Sequence, residues 1–268
     1  MGTRARKNLC LGTSNPLSRG VEERNMSTNT VEKSSEKRVG DIRTIDLAKQ
    51  SVRDLNQALH DQKEQLECSD WEVLNPAGQH SLAVGVDQQL NIDIQGHAGY
   101  YCAGMNKEAN IVIHGNTGQG VAENMMSGSV HVKGHASSAA GATAHGGLLV
   151  IDGNAGARCG ISLKGADIVV KGNVGHMSCF MGQAGSLVVC GDAGDALGDS
   201  LYEVHIYVKG KVQSLGADCI EKEMRQEHID ELRSLLQRAG VDEDPAAFKR
   251  YGSARQLYNF KVDNAGAY

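Results

Sequence analysis

The residues with the most chemical potential in this chain are seven cysteines, a close histidine pair and a knot of aspartates. Cys10, Cys68, Cys102, Cys159, Cys179, Cys190 and Cys219 are scattered through the sequence. An iron–sulfur or zinc centre needs thiolates at short paired spacing such as Cys-x-x-Cys, and the chain has no such pair. They read instead as free thiols of a reducing cytoplasm, buried or half-buried as small apolar side chains. His131 and His135 are four apart, but they fall on a strand and the corner after it rather than on one helical face, which makes them surface histidines. Asp192, Asp195 and Asp199 lie close together and suggest an acid site or calcium. Repeat-type calcium binding would place the same aspartates in every unit; they do not recur, and corner caps explain them more simply.

Those residues are set on a repeat. Gly96, Gly115, Gly134, Gly153, Gly172, Gly191 and Gly210 stand at an unbroken spacing of 19 residues. A fixed period of this length means stacked structural units. Four residues before each glycine come Ile92, Ile111, Val130, Leu149, Ile168, Leu187 and Ile206; two before it come Ile94, Ile113, Val132, Ile151, Val170, Val189 and Val208. Apolar, mostly β-branched residues two apart share one side of a strand, so the stack has two internal aliphatic ladders. The residue just before the glycine is mainly polar and faces out.

The residue after it is His97, Asn116, His135, Asn154, Asn173, Asp192 or Lys211. Asn, Asp and His tolerate left-handed backbone, so this position is expected to be a corner. Small residues follow three and seven places after the glycine, where they permit bends and close approach of neighbouring coils. The product is an all-β, single-stranded parallel β-helix of about seven 19-residue coils with flanking capping α-helices, roughly 30 Å long at ~4.8 Å per rung.

Composition agrees. The aromatic fraction is 4%, with three Phe and one Trp, which suits a core of stacked Ile, Val and Leu. Net charge is −5 and pI about 6.1, without a basic patch beyond the N-terminal tail, which argues against nucleic acid as a partner. No apolar run is long enough for a membrane span. Four segments are expected: a disordered polar tail over 1–43, without the apolar core of a secretory leader; an N-terminal cap over 44–90; the repeat over 91–220; and a C-terminal helix and docking tail over 221–268. In the cap, Ser51 to Gln65 reads as a helix carrying Val52, Leu55, Ala58 and Leu59, with Ser51 and Asp54 as its cap. Trp71–Val73 and Ser81–Val86 read as first strands. Glu221 to Ala239 reads as a second helix with Met224, Ile229, Leu232, Leu235 and Leu236 on one stripe, Glu221 and Glu223 near its start, Arg233 and Arg238 near its end, and Gly240 as its stop. The closing tail carries Phe248, Tyr251, Tyr258, Phe260 and Tyr268 and is expected to dock on something.

One row breaks the alternation. Three residues before each corner glycine come Asp93, Val112, His131, Val150, Val169, Val188 and Tyr207. This row faces outward, yet four of its members are valine. A strand apolar on both faces is covered on both, and an exposed apolar stripe marks a contact surface. Val112, Val150, Val169, Val188 and Tyr207 are therefore candidate partner-docking residues, unless the chain's own C-terminal helix lies across them; both coverings stay open.

The spacing Gly, two residues, Gly, three residues, Gly is complete at Gly153, Gly156, Gly160 and at Gly191, Gly194, Gly198, with relaxed copies at Gly115, Gly118, Ala122 and at Gly172, Gly175, Cys179. Over about residues 44–220 this resembles the β-helical C-terminal domain of the glutamate synthase large subunit. Gly99–Asn106 (GYYCAGMN), Gly120–Gly128 (GVAENMMSG), Gly191–Glu203 (GDAGDALGDSLYE), Leu215–Met224 (LGADCIEKEM) and Tyr251–Phe260 (YGSARQLYNF) look closer to its stand-alone form, the β-helix subunit of N-methylglutamate synthase. The resemblance implies a right-handed helix without catalytic, cofactor-binding or metal residues. It also implies a place between an amidotransferase-like subunit and an FMN-dependent synthase subunit, with the FMN on that partner. The sequence fits this division of labour: it has no phosphate-cradling loop leading from strand to helix, and residue 2 is Gly where an amidotransferase would carry its Cys nucleophile. The β-helical subunit of a formylmethanofuran dehydrogenase or formyltransferase/hydrolase complex shares the glycine repeat and is the alternative. A left-handed hexapeptide acyltransferase is disfavoured, since the 19-residue register drifts off six-residue steps.

Overall fold

The computed structural model describes residues 42–61 and 69–256. Among these residues eleven strands form one sheet, stacked in chain order except that the eleventh lies between the ninth and the tenth. From β3 (Asn91–Ile94) through β4 (Asn110–Ile113), β5 (Ser129–Val132), β6 (Leu148–Ile151), β7 (Lys164–Val170) and β8 (Ala184–Val189) to β9 (His205–Val208), one strand per coil stacks in parallel. The register is the predicted one: Ile92 pairs Ile111, then Val130, Leu149, Ile168, Leu187 and Ile206 in turn. Both aliphatic ladders are fully buried. A second ladder of isolated parallel bridges runs through Ala98, Thr117, Ala136, Ala155, Val174, Ala193 and Val212. The fold is thus a β-solenoid of about seven turns.

The row after the glycines works differently from the expected left-handed corner. None of its residues has positive φ; the six side chains from His97 to Asp192 instead each accept a hydrogen bond from the backbone N–H of the equivalent residue one coil on. His97 Nδ1 accepts from Asn116 N (2.8 Å), Asn116 Oδ1 from His135 N (2.8 Å) and His135 Nδ1 from Asn154 N (2.9 Å). Asn154, Asn173 and Asp192 continue the chain of acceptors to Lys211 N at 2.7–2.9 Å. This explains the corner glycines. A Cβ at Gly172 would fall on Asn154 Oδ1 and within 2.7 Å of Gly153 O, so there is no room for one.

Left-handed backbone sits further along the coils that follow Gly96 to Gly191, five, seven and nine residues after the glycine, as at Arg158, Gly160 and Ser162. Between these positions the backbone hydrogen bonds alternate upward and downward to the neighbouring coils, as at Arg158 N to His176 O and Gly160 N to Ala140 O. The same alternation occupies residues 81–86, which form turns rather than the expected strand; Ser81, Ala83 and Gly85 have positive φ there.

The strand sheet is extended at both ends. At the N-terminal end, β1 (Arg43–Asp46) and β2 (Asp70–Leu74) extend the parallel sheet, and the Arg43 guanidinium lies 4.7 Å over the Trp71 ring. The helix α1 (Val52–His60) opens on the expected capping box of Ser51 and Asp54 and buries Leu55 and Leu59; it ends earlier than Gln65, and residues 62–68 lie outside the described residues. At the C-terminal end β11 (Lys249–Ser253) pairs antiparallel with β9, and β10 (Cys219–Lys222) pairs antiparallel with β11. The second helix, α2, therefore spans Gln226–Arg238 and not Glu221–Ala239, because Glu221 belongs to β10 and pairs with Lys249 (3.0 Å). Gly240, at φ +63°, ends it.

Candidate docking surface

The outer face of the stacked strands is divided. Over its C-terminal half, Val150, Val169, Val188 and Tyr207 are buried against Leu232, Leu235 and Leu236 of α2, against its C-cap Ala239 and against Phe248. The chain's own helix covers these four, so they are not open to a partner. The stripe on α2 supplies the apolar face that the valines require. Of the predicted docking residues only Val112 stays half-exposed.

A polar clasp fixes α2 over this row. Glu231 Oε2 accepts from His205 Nδ1 and from Tyr207 OH, both at 2.8 Å, and Oε1 accepts from Ser186 Oγ at 2.9 Å. Burial pushes this carboxyl up, but the hydrogen bonds from His205 and Tyr207, the His205 charge and Ser186 together bring it down to about 2. Burial and the Glu231 carboxylate push the Tyr207 hydroxyl well above its usual range. The buried His228 ring packs edge-on to His205 at 5.5 Å, and burial lowers its basicity. Arg238 reaches Asp167 on β7 at 2.7 Å, tying down the other end of the helix.

The N-terminal half of the face carries Asp93, Val112 and His131 without a covering element among the described residues. Its charges are already paired: His114 Nε2 to Asp93 at 2.6 Å, and Asp152 to both His131 Nε2 and Lys171 at 2.8 Å. Burial opposes the Asp152 charge, but the bonds from Lys171 and His131 outweigh it and lower its carboxyl. His131 and His135 serve different rows, one an ion pair and the other the corner ladder. Asp192, Asp195 and Asp199 each engage the last coil, through Lys211 N, Ser214 Oγ and Ala217 N respectively, which matches their reading as corner caps.

Burial disfavours the thiolate at each described cysteine. Burial pushes Cys102, Cys159 and Cys219 up to about 12 and Cys190 up to about 11, leaving a negligible thiolate fraction at neutral pH. Cys10, Cys68, Tyr258, Phe260 and Tyr268 lie outside the described residues. Among the described residues no three His, Cys, Asp or Glu side chains converge as metal ligands would, and no helix is long and apolar enough to cross a membrane. The space beside Gly115, Gly118, Gly156 and Gly175 is filled by the backbone of the preceding coil.

Fold and surface together define a β-helix protein that presents ordered rows of side chains. No family profile matches the chain, and neither does any solved structure. Protein GlxC of Rhizobium meliloti (strain 1021) is 61% identical over 225 residues, which are 84% of this chain and 99% of that one. The chain belongs to the GlxC family.

Two parts of this surface had little or no warning in the sequence. The corner ladder had a signal, since acceptors recur at every rung until Lys211, but left-handed tolerance was the more familiar explanation for the same residue types. The Glu231 clasp had none, because it joins a helix to strands through residues of unremarkable spacing.

Proposed function

We propose that this chain is a non-catalytic structural subunit of a glutamate synthase-type complex, of the N-methylglutamate synthase kind. It bridges an amidotransferase-like subunit and an FMN-dependent synthase subunit. The assembled reaction is methylamine plus glutamate giving N-methylglutamate plus ammonia, with FMN held by the partner synthase. The observation that carries this reading is the unbroken coil register. It commits the glycines, the corner polar residues and the aspartates to holding coils together, while four of the five described thiols are buried and Cys190 is half-buried. The family-like segments from Gly99 to Phe260 support the choice of complex.

The test is affinity purification of the tagged full-length chain from its own cells, with its companions identified by mass spectrometry. An amidotransferase-like chain together with a flavin-bearing chain supports the reading. Companions from a formylmethanofuran dehydrogenase or formyltransferase/hydrolase system would replace it with that alternative. Recovery of this chain alone would contradict both.

A further inference from the structure

The stack ends differently on its two sides. On the strand side, β11 and β10 lie over β9. On the corner side, no described residue adds a further rung over the last coil. In the coil beneath, Ala193 N donates to Lys211 O at 2.8 Å and Leu197 N donates to Ser214 O at 3.1 Å. Their equivalents are Val212 and Leu215, whose N–H groups have no partner among the described residues. Unpaired donors of this kind are a template for an added strand.

Side chains around these donors favour one sort of strand. A groove of about 520 Å³ runs beside them, lined in part by Lys211, Val212, Ser214, Leu215 and Lys249. Leu215 is 37% exposed, and Ile220 nearby on β10 is 42% exposed. Lys249 is neutralised by Glu221, but Lys211 has no ion-pair partner among the described residues. Lys211 is also where the corner ladder stops: the residue beneath it, Asp192, offers a carboxylate, whereas Lys211 offers a cation.

We propose that this end of the rod is a docking edge for an extended segment of a partner protein. The segment lies over Lys211–Leu215 and sets an Asp or Glu carboxylate against Lys211. Its carbonyls accept from Val212 and Leu215 N–H, and an apolar side chain covers Leu215. A second copy stacked end to end is the weaker occupant. At the opposite end of the corner row Pro76 packs over Gly96, and residues 75–80 of that stretch carry no carboxylate to set against Lys211.

A photo-crosslinking amino acid in place of the exposed Gln213, in the tagged full-length chain in its own cells, tests this. The expected adduct maps to another polypeptide, at a stretch with Asp or Glu within two residues of the link. Lys211→Glu should lower its yield about tenfold, and Lys211→Arg should hold it within about twofold. Amide exchange at Val212 and Leu215 should slow at least tenfold, by order of magnitude, in the isolated complex relative to the free chain. Because Lys211 is exposed, neither variant should shift the melting temperature. An adduct to residues 257–268, to a second copy of this chain, or one indifferent to Lys211→Glu overturns the inference. So does a complex that forms without any adduct at Gln213. An adduct with these properties to an enzyme unrelated to glutamate synthase would uphold the docking edge and sink only the functional reading above.

Discussion

Asn154 shows how one residue type at one place governs a whole corner. Its Oδ1 accepts from Asn173 N at 2.9 Å and occupies the space where a Cβ on Gly172 would stand. Asn154→Ala removes one exposed hydrogen bond and should cost about 1 kcal/mol, read as a lowered midpoint in urea unfolding. Gly172→Ala should cost more, about 1–3 kcal/mol by overpacking. The double variant should recover only part of that, because Gly153 backbone still crowds the new methyl. Full recovery would mean the side chain alone dictates glycine. Glu231 gives the pH prediction. Its carboxyl lies at about 2 in the folded chain against an ordinary value of 4.5. A folded value below the unfolded one contributes stability that is complete above about pH 4.5 and is lost as pH falls toward 2. Acid unfolding of Glu231→Gln should therefore start from a lower stability at neutral pH and show a shallower loss between those limits than the parent chain.

At the scale of elements, the helix α2 and the valine row form a unit that neither makes alone. Leu232 is fully buried in that contact. Leu232→Ala should cost about 2–5 kcal/mol and speed proteolysis within α2, while the buried ladders beneath stay protected from amide exchange. Uniform loss of protection would show instead that helix and coils unfold as one. The register of the repeat strands β3 to β9 was legible in the sequence, because two constraints coincide there: side chains alternate every second position, and each coil repeats after 19. The valine row announced a missing cover, but periodicity carries no information about which distant segment supplies it. Residues 81–86 misled for a physical reason. Alternation of left- and right-handed backbone imitates the every-second-residue pattern of a strand, so Leu82, Val84 and Val86 look strand-like while the chain turns. The start of α2 was misplaced because Glu221 and Glu223 suit a helix N-terminus equally well as they suit an exposed strand; the pairing of β10 with β11 decides it.

At the scale of the whole coil stack, α2 covers one half of the outer strand face, and the other half has no covering element among the described residues. The open half centres on Val112 between Asp93 and His131. Val112→Arg should leave the melting temperature within about 1 °C, as surface changes have small effects, yet weaken recovery of companion chains if that half is in contact with them. Unchanged recovery would leave the end of the rod at Lys211 as the contact, and would remove the last of the valine row from the docking surface.

The central claim is that this chain supplies position and its companions supply chemistry. The most direct measurement is N-methylglutamate formation from methylamine and glutamate by the two companion subunits proposed above, with this chain present, with it omitted, and by this chain alone. The account predicts turnover only when all three are combined, and none from this chain by itself. Turnover by the isolated chain, or full activity of the companions without it, would contradict the account.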